Sequence, residues 1–453
     1  MDLGRTAGQT GPMDSSSPDE TAPAADQTDR LILEVARTEL GLGANGGADG
    51  DLVVLDDATG ALTRAALDAL EGTQHRVVVQ ETSVQHALAL AEEHRGALGE
   101  GRLLIAGLED APADLATLLA GRSVHLALAR LPKALAALEV RASSLARAGV
   151  PALIAGGRVK HMTRSQNEVL AEVYDEVHAT RGLGKSRALV ARTARDDLRE
   201  LPPRSSEVEI AVRGMRTAVT LSGIGSVFGG ASADAGSLLL LDALDQAISA
   251  GEIEDTTRSD GADGESDGAP EEARAATPGE GSPAVLSARS VIDLGSGNGL
   301  LAAYLRSALP AARLLATDDD LDAVASTRAT LESLAADAAT SDGAVGTEES
   351  VGVDAGGRPG EARVLWEASL AGQAADSADL VLLNPPFHDG AAIDATLVQG
   401  LLDAVARVLR PGGQLWFVHN SHLRYRHELE SRIGSVQQRA RDRRFTVLQA
   451  TRS

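Results

Sequence analysis

Cysteine is absent from the 453 residues of this chain, and aromatic side chains are scarce. Without cysteine, neither disulfide bonds nor thiolate metal sites can form, and we expect the protein to hold no metal. Because aromatic residues make up only 2% of the sequence, its hydrophobic cores must be built from Ala, Leu and Val. Lysine occurs only at Lys133, Lys160 and Lys185, so arginine carries almost all of the positive charge.

Long apolar runs are missing as well. No stretch reaches the roughly 18 uninterrupted apolar residues of a membrane span, and the N-terminus lacks the charged-then-apolar order of a secretory signal. These features predict a soluble, cytoplasmic protein without a membrane partner. Basic residues are outnumbered by acidic ones, 42 to 65, which gives a net charge of −23. This excess argues against a nucleic-acid partner, because like charges repel a phosphate backbone.

Much of the negative charge falls in three segments that lack any periodic pattern. They are an N-terminal tail at 1–28 and two insertions near 251–283 and 337–361. Such compositions cannot support a packed core, so we expect these segments to be disordered. The folded remainder is then closer to neutral, which weakens the charge argument against nucleic acid.

Between these segments, short apolar runs alternate with amphipathic helical stretches in both halves of the chain. Such alternation is typical of a parallel sheet with helices on both faces. The sequence therefore predicts an α/β protein of two tandem, doubly wound Rossmann-like domains, at 29–200 and 205–453. The predicted strands lie at 52–55, 76–79, 103–106, 125–129 and 152–155, and again at 290–294, 314–317, 364–366, 380–383 and 414–418.

The two halves differ at the turn after their first strand. The second half has Asp293-Leu-Gly-Ser-Gly-Asn-Gly299, and its glycines Gly295, Gly297 and Gly299 let the backbone approach a ligand closely at a helix N-terminus. The first half has Asp56-Asp-Ala-Thr-Gly60, with a single glycine. We therefore expect a nucleotide-like cofactor to bind through the C-terminal half alone, at a site that includes Asp293. The N-terminal half is predicted to be degenerate.

An acidic cluster follows the next predicted strand. Asp318 lies 19 residues after Gly299, where a carboxylate can accept hydrogen bonds from both hydroxyls of a ribose. The alternative use of the three acids at 318–320 is to cap a helix, because the helix dipole favours carboxylates. We expect one of them to cap and Asp318 to bind. Glu367, after the third strand, is a candidate for binding an adenine amine.

The residues Asn384-Pro-Pro-Phe387 follow the fourth predicted strand and indicate the chemistry. The amino nitrogen of a nucleobase is a poor nucleophile, because its lone pair is delocalised into the ring. Acceptors on its hydrogens localise that lone pair, and the Asn384 side chain and the Pro385 carbonyl suit this role. The prolines hold Asn384 extended, and Phe387 can stack on the base. A proline-rich turn packed around one Phe is the structural alternative.

Two histidines and a basic C-terminus are candidates for substrate contacts. His388 can accept a proton near neutral pH or simply border the substrate. His422 and Arg424 begin a basic stretch, for which a solvated helix face and a contact with RNA phosphates are the two interpretations. The stretch continues with Arg426, Arg432, Arg439, Arg441, Arg443 and Arg444.

These motifs resemble those of the two-domain ribosomal RNA guanine-N2 methyltransferases, over almost everything from 52 to 450 except the insertions. The resemblance rests on the glycine-rich turn, on Asp318 with Ala323-Val-Ala-Ser-Thr-Arg328, and on Asn384-Pro-Pro-Phe-His388. Gly225-Ser-Val-Phe228 and Asp234-Ala-Gly236 resemble the segment that closes over the cofactor in this family.

The resemblance implies S-adenosyl-L-methionine as cofactor, ribosomal RNA as substrate, and a degenerate methyltransferase domain ahead of a catalytic one. Leu131-Pro-Lys-Ala-Leu-Ala-Ala-Leu138 and Val159-Lys-His161 favour the branch that acts on 23S over 16S RNA. Asn420-Ser-His-Leu423 departs from the Asn-Arg-His-Leu common in the family, and so lacks one arginine for RNA.

Two other functions remain open. Adenine-N6 and protein-glutamine methyltransferases share the Asn-Pro-Pro-Phe motif. A non-catalytic, RNA-binding ribosome-assembly factor could also keep the cofactor pocket, although the intact glycine-rich turn and the intact Asn384 motif speak against it.

Overall fold

Two sheets of seven strands form the framework of the protein, one in each half of the chain. The structure is a computed structural model, and it describes residues 25–43, 48–108, 111–255, 285–341, 360–385 and 395–453. The predicted tail at 1–28 lies largely outside these residues, as do most of the two predicted insertions.

The N-terminal domain places helices on both faces of a mostly parallel sheet. Its strands are β1 (Asp51–Leu55), β2 (Val77–Gln80), β3 (Leu103–Ile105), β4 (Val124–Arg130), β5 (Ala152–Arg158), β6 (Tyr174–Ala179) and β7 (Ser186–Ala194), in the order β3-β2-β1-β4-β5-β7-β6. Its helices are α1 (Gln27–Leu40), α2 (Ala61–Ala69), α3 (Val84–Glu93), α4 (Arg95–Gly99), α5 (Leu115–Leu119), α6 (Leu135–Arg147) and α7 (Arg164–Val173), with a 3-10 turn at Val159–His161.

The C-terminal domain begins with a hairpin and a short parallel pair, and then repeats the same sheet. The hairpin is β8 (Arg204–Val212) with β9 (Met215–Gly223), and the pair is β10 (Ile253–Glu254) with β11 (Leu286–Ser287). The sheet holds β12 (Ser290–Leu294), β13 (Arg313–Asp318), β14 (Ala362–Trp366), β15 (Ala378–Leu383), β16 (Leu409–Asn420), β17 (Gly434–Arg441) and β18 (Phe445–Arg452). Its order is β14-β13-β12-β15-β16-β18-β17, and its helices are α8 (Ala235–Ser249), α9 (Leu300–Ala308), α10 (Leu321–Ser341), α11 (Ala395–Val408) and α12 (Arg426–Arg432).

The identical strand order confirms the prediction of two doubly wound α/β domains. Every predicted strand is present, with shifts of a few residues at its ends. The sequence missed the antiparallel strands at one edge of each sheet, where β7 pairs with β5 and β18 pairs with β16. Central parallel strands are buried on both faces and appear as continuous apolar runs. The edge strand β6 is largely exposed and carries polar residues, so no such run marks it.

The described flanks of the two acidic insertions are ordered, which corrects the predicted boundaries. Ile253 is 2% exposed in β10, inside the segment predicted to be disordered from 251. Helix α10 continues to Ser341, past the predicted boundary at 337. Composition could not show how far the neighbouring elements continue, because hydrogen bonds to other segments decide that. Residues 256–284 and 342–359 lie outside the described residues.

Asp293 is the last residue but one of β12 and is completely buried. Among the described residues, neither of its carboxylate oxygens has a hydrogen-bond partner. Burial, followed by the nearby charge of Asp318, raises the pKa of Asp293 to about 7. A carboxylate that is buried without hydrogen bonds lowers the free energy of unfolding when it is charged. Unfavourable groups of this kind are typical of functional sites.

We expect the acidic insertions to be dispensable for folding. Replacing 260–280 and 344–357 with short Gly-Ser linkers should change the melting temperature by no more than a few degrees, because segments of this composition contribute no core. Ile253→Ala is the control, since it removes a buried side chain beside the first insertion and should cost about 2–4 kcal/mol. Loss of cooperative melting in the linker variant would show that the insertions are structural.

We also expect Asp293 to make stability fall as the pH rises. The unfolded chain ionises this carboxyl near its usual value, whereas the folded chain holds the proton until about pH 7. The contribution of Asp293 to the free energy of unfolding is therefore fully present at low pH. It falls between roughly pH 4 and 7, by about 1.4 kcal/mol per pH unit. Asp293→Asn should reduce the loss in unfolding free energy between pH 5 and 8 by about 2 kcal/mol. Equal losses in denaturant titrations of both proteins would contradict this.

Candidate active site

The carboxyl ends of three parallel strands meet at one edge of the C-terminal sheet. In the ladder, Leu294 of β12 pairs with Thr317 of β13 on one side and with Leu383 of β15 on the other. The residues that follow these strands therefore begin side by side. A cavity of about 410 Å³ lies over this edge, within the usual range for small-molecule sites. Its lining includes the predicted site residues Gly295, Gly297, Asp318, Glu367, Asn384 and Pro385.

The glycine-rich turn forms the floor of the cavity. The Gly295 amide donates to the Thr317 carbonyl (2.8 Å), which holds the turn against β13. Gly297 has a φ of 57°, and no atom lies within 4 Å of the place where its Cβ would stand. A side chain there would be strained and would project into open space, so glycine keeps this backbone accessible to a ligand.

One member of the acidic cluster caps a helix and another lines the cavity, while the binding role of Asp318 stays a prediction. Asp318 faces the cavity, and one of its oxygens accepts a hydrogen bond from the Gly297 amide (2.9 Å), which joins the second strand end to the glycine-rich turn. Asp320 accepts from the Asp322 amide (2.8 Å) and so caps α10. Burial raises the pKa of Asp318, and burial together with the charge of Asp322 raises that of Asp320 to about 7.

Glu367 follows β14 and lines the cavity beside Asp318. It accepts hydrogen bonds from the Gly372 amide (2.6 Å) and from the Gln373 side chain (3.1 Å). These contacts hold the carboxylate at the rim of the cavity, one strand away from Asp318.

The amide of Asn384 is held in one orientation. Its nitrogen donates to the Ser237 hydroxyl (2.9 Å) and to the second carboxylate oxygen of Asp234 (3.2 Å). An ionised carboxylate can only accept hydrogen bonds, so the Asn384 nitrogen must face it. The Asn384 side-chain oxygen is then left for the cavity, next to Pro385. The first oxygen of Asp234 caps α8 by accepting from the Gly236 and Ser237 amides.

A segment at 224–237, which we call the covering segment, forms one wall of the cavity. Ser226, Phe228 and Ser232 line the cavity from this side. The Asn298 side chain in the glycine-rich turn donates to the carbonyls of Gly230 and Ser232, at 2.9 Å each. Residue chemistry alone did not identify Ser226, Asn298 or Ser232. Only the resemblance around 225–228 and 234–236 indicated that this segment reaches the cofactor.

Several predicted site residues do not lie at the cavity. Asp293 is buried beneath the turn and is not part of the lining. Phe387 and His388 fall outside the described residues. His422 and Arg424 are exposed on the turn after β16, and within the described chain neither lines the cavity. Their assignment to the site stays a prediction.

The basic C-terminal stretch separates into two groups. Arg426, Arg432 and Arg439 form ion pairs with acidic residues of the same chain. Arg441, Arg443 and Arg444 are exposed around the turn between β17 and β18, and the Arg444 carbonyl accepts from the Ser421 amide (2.7 Å) after β16. This basic turn therefore lies at the same sheet edge as the cavity.

The sequence led us to expect a cavity built by the C-terminal half alone, but the N-terminal half also contributes to it. Gln85, near the start of α3 in the N-terminal domain, is part of the lining. The sequence could not reveal this, because nothing in either half shows how the two domains pack.

Within the described residues, no group of three acidic or His side chains is arranged to hold a metal ion. In the same part of the chain, every helix is too short or too polar to cross a membrane.

Both halves match known protein families. Residues 14–195 match the RLMG N-terminal domain, and residues 283–354 and 348–449 match the Methyltransferase small domain. Ribosomal RNA large subunit methyltransferase G of Streptomyces coelicolor is 38% identical over 170 residues, which are 38% of this chain and 39% of that protein. The protein of the same name from Pseudomonas paraeruginosa is 29% identical over 325 residues, which are 71% of this chain and 70% of that protein.

The whole fold also has a counterpart among solved structures. The 16S rRNA N2 methyltransferase RsmC of T. thermophilus, solved with AdoMet and guanosine, aligns with a TM-score of 0.62 and 21% identity. The alignment covers 94% of this chain and 92% of that protein, so it spans both domains. The chain therefore carries an RLMG N-terminal domain followed by a Methyltransferase small domain, in the same two-domain fold as that structure.

Proposed function

We propose that this protein transfers a methyl group from S-adenosylmethionine to the exocyclic N2 amine of a guanine in 23S ribosomal RNA. The observation that carries the proposal is the orientation of Asn384, whose amide oxygen is left facing the cavity by Asp234 and Ser237. The names of the large-subunit relatives support 23S over 16S RNA as substrate. An RNA substrate of this kind implies that the protein works in the cytoplasm.

The cavity suits S-adenosylmethionine, which supplies an activated methyl group when bound. Gly295 and Gly297 leave open backbone where a nucleoside must approach closely. Asp318 presents a carboxylate for the ribose hydroxyls, and Glu367 stands one strand further along for the adenine amine. Phe228 and Leu301 add apolar surface to the walls. We assign cofactor binding to Asp293, Gly295, Gly297, Gly299, Asp318 and Glu367. Asp293 and Gly299 do not line the cavity and act by supporting the turn that does.

The chain activates the acceptor by hydrogen bonding. The oxygens of Asn384 and Pro385 accept from the amine hydrogens, so that the lone pair is localised on the nitrogen and points out of the plane of the ring. Asn384 is tied to α8 before substrate binds, and the proline that follows Pro385 in the sequence restricts the ψ of Pro385, which sets the direction of its carbonyl. Positioning then provides most of the remaining rate enhancement. The proton that the amine must lose after methylation can pass to water, so a general base is not required. Phe387 is assigned to stacking on the base.

The RNA would approach over the carboxyl edge of the sheet. The exposed Arg441, Arg443 and Arg444 lie there, together with Arg424 and His422, and positive charge of this kind positions a phosphate backbone. His388 is assigned to the border of the base. The oriented Asn384 amide favours a catalytic role over that of an assembly factor.

Asn384→Ala should separate chemistry from cofactor binding. It removes a preorganised acceptor, so the single-turnover rate on ribosomal RNA should fall by about 10²–10³. The dissociation constant for S-adenosylmethionine, measured by calorimetry, should stay within about twofold, because the cofactor residues follow other strands. Asp318→Ala is the matched comparison and should mainly weaken cofactor binding. Wild-type turnover by Asn384→Ala would refute the assignment of the active site.

Asp234→Asn should test the orientation of Asn384 without removing the cap of α8. The new side chain keeps an oxygen for the Gly236 and Ser237 amides, but it presents an amide nitrogen to Asn384 where a carboxylate oxygen was. The single-turnover rate should fall by roughly tenfold, less than in Asn384→Ala because Ser237 still accepts, while the melting temperature changes little. If the melting temperature falls and the rate at saturating cofactor is unchanged, Asp234 serves only as a helix cap.

A further inference from the structure

The turn at 81–83, after β2 in the N-terminal domain, lies against the turn at 318–320 beside the cavity, which we call the acidic turn. The Val84 amide donates to the Asp319 carbonyl (3.0 Å), and the Leu321 amide donates to the Thr82 carbonyl (2.8 Å). Trp366 donates its indole N–H to the Asp319 carbonyl (2.7 Å) and so packs over the same contact. Backbone hydrogen bonds in both directions hold the two turns in register, as in an antiparallel bridge.

These two turns occupy equivalent places in the two domains. Leu55 pairs with Gln80 as Leu294 pairs with Thr317, so Glu81 is the N-terminal counterpart of Asp318. Glu81 also accepts a hydrogen bond from the turn after the first strand, through the Asp57 amide (2.5 Å). In the C-terminal domain this edge of the sheet forms the proposed cofactor site. In the N-terminal domain the equivalent edge packs against that site.

Arg141 on α6 is the charged link across this contact. It is 7% exposed, and its guanidinium lies 3.1 Å from Asp56 in its own domain and 3.3 Å from Asp322 in the other domain. It also donates to the Thr82 hydroxyl (2.6 Å), directly beside the interdomain backbone contact. A buried arginine shared by two carboxylates is costly to disturb, because its removal leaves both acids without a counter-charge.

Asp322 contacts both Arg141 and the covering segment. The oxygen that faces Arg141 also accepts from the Ser226 amide (2.8 Å) and from the Ser226 hydroxyl (2.9 Å). Gly225 precedes Ser226 with a φ of 54°, and a Cβ on it would collide with the Asp322 carboxylate. The covering segment therefore approaches Asp322 as closely as a backbone can, and Ser226 itself lines the cavity.

We propose that the degenerate N-terminal domain is a working part of the S-adenosylmethionine site, in which Arg141 is a positioning residue that fixes the covering segment through Asp322 and Ser226. Gln85 completes the same wall from the N-terminal side. The domain holds the acidic turn by its backbone and the covering segment by a side chain. Cofactor affinity thus depends on a residue that does not line the cavity. The inference rests on the proposed use of S-adenosylmethionine.

Arg141→Lys in the full chain tests this inference and keeps a positive charge beside the two carboxylates. A lysine has no planar fork and cannot reproduce three separate contacts. Calorimetry should show S-adenosylmethionine binding weakened by about tenfold, a coupling of ordinary size between two sites. The rise in melting temperature caused by saturating cofactor should shrink accordingly. Gln85→Ala should weaken binding by a few-fold.

Arg130→Lys is the matched control. Arg130 also pairs with two carboxylates, Asp26 (3.0 Å) and Asp29 (2.7 Å), but all three residues belong to the N-terminal domain. This variant should lose comparable stability and bind the cofactor within about twofold of wild type. If Arg130→Lys and Arg141→Lys weaken cofactor binding equally, Arg141 only stabilises the fold and the inference is wrong.

A double-mutant cycle that combines Arg141→Lys with Ser226→Ala tests whether Arg141 acts through Asp322 and Ser226. If Arg141 acts through Asp322 on Ser226, the two substitutions together should weaken binding by less than the product of their separate effects. Strictly multiplicative effects would overturn the route. Failure of the wild-type protein to bind S-adenosylmethionine would instead refute the proposed function, so the two failures are distinguishable.

Discussion

The parallel register of β12 with β13 and β15 is the constraint on which the site depends. Pairing of Leu294 with Thr317 and with Leu383 brings three strand ends into one row. In a parallel sheet all such ends point the same way, so the turns that follow are neighbours without any further design. A slip of one residue would turn every side chain of a strand to the opposite face.

Above this edge, single side chains satisfy structural and functional demands together. Asp234 caps α8 with one oxygen and orients Asn384 with the other. Asp318 holds the glycine-rich turn while facing the cavity, and Asn298 ties that turn to the covering segment. The contacts of Asp318, Asn298 and Asp234 with distant segments hold the glycine-rich turn and the Asn384 amide in place without a ligand. Preorganisation of this kind is what transfer to a weakly nucleophilic amine requires, since the groups then pay no reorganisation cost during the reaction.

The N-terminal copy of the fold uses the equivalent sheet edge as a packing surface. Glu81 stands where Asp318 stands in the other copy, and without neighbouring glycines this edge packs against a protein surface. The acids left there are compensated in part by Arg141. The sequence shows that the turn at 56–60 has a single glycine. It could not show the consequence, because the partner of that edge lies more than two hundred residues away in the chain.

By itself the sequence determined the fold class, most strands, and the positions of the glycine-rich turn, Asp318 and Asn384. These features have local causes: apolar periodicity, glycine conformation and proline restriction act within a few residues. Tertiary structure decided what the same residues contact. It showed that Asp320 caps α10, that Asp293 lies beneath the turn and outside the lining, and that Asn384 is oriented from α8. It also brought Gln85 to the cavity and Arg141 to Asp322, since only the packed domains bring distant segments within hydrogen-bonding range.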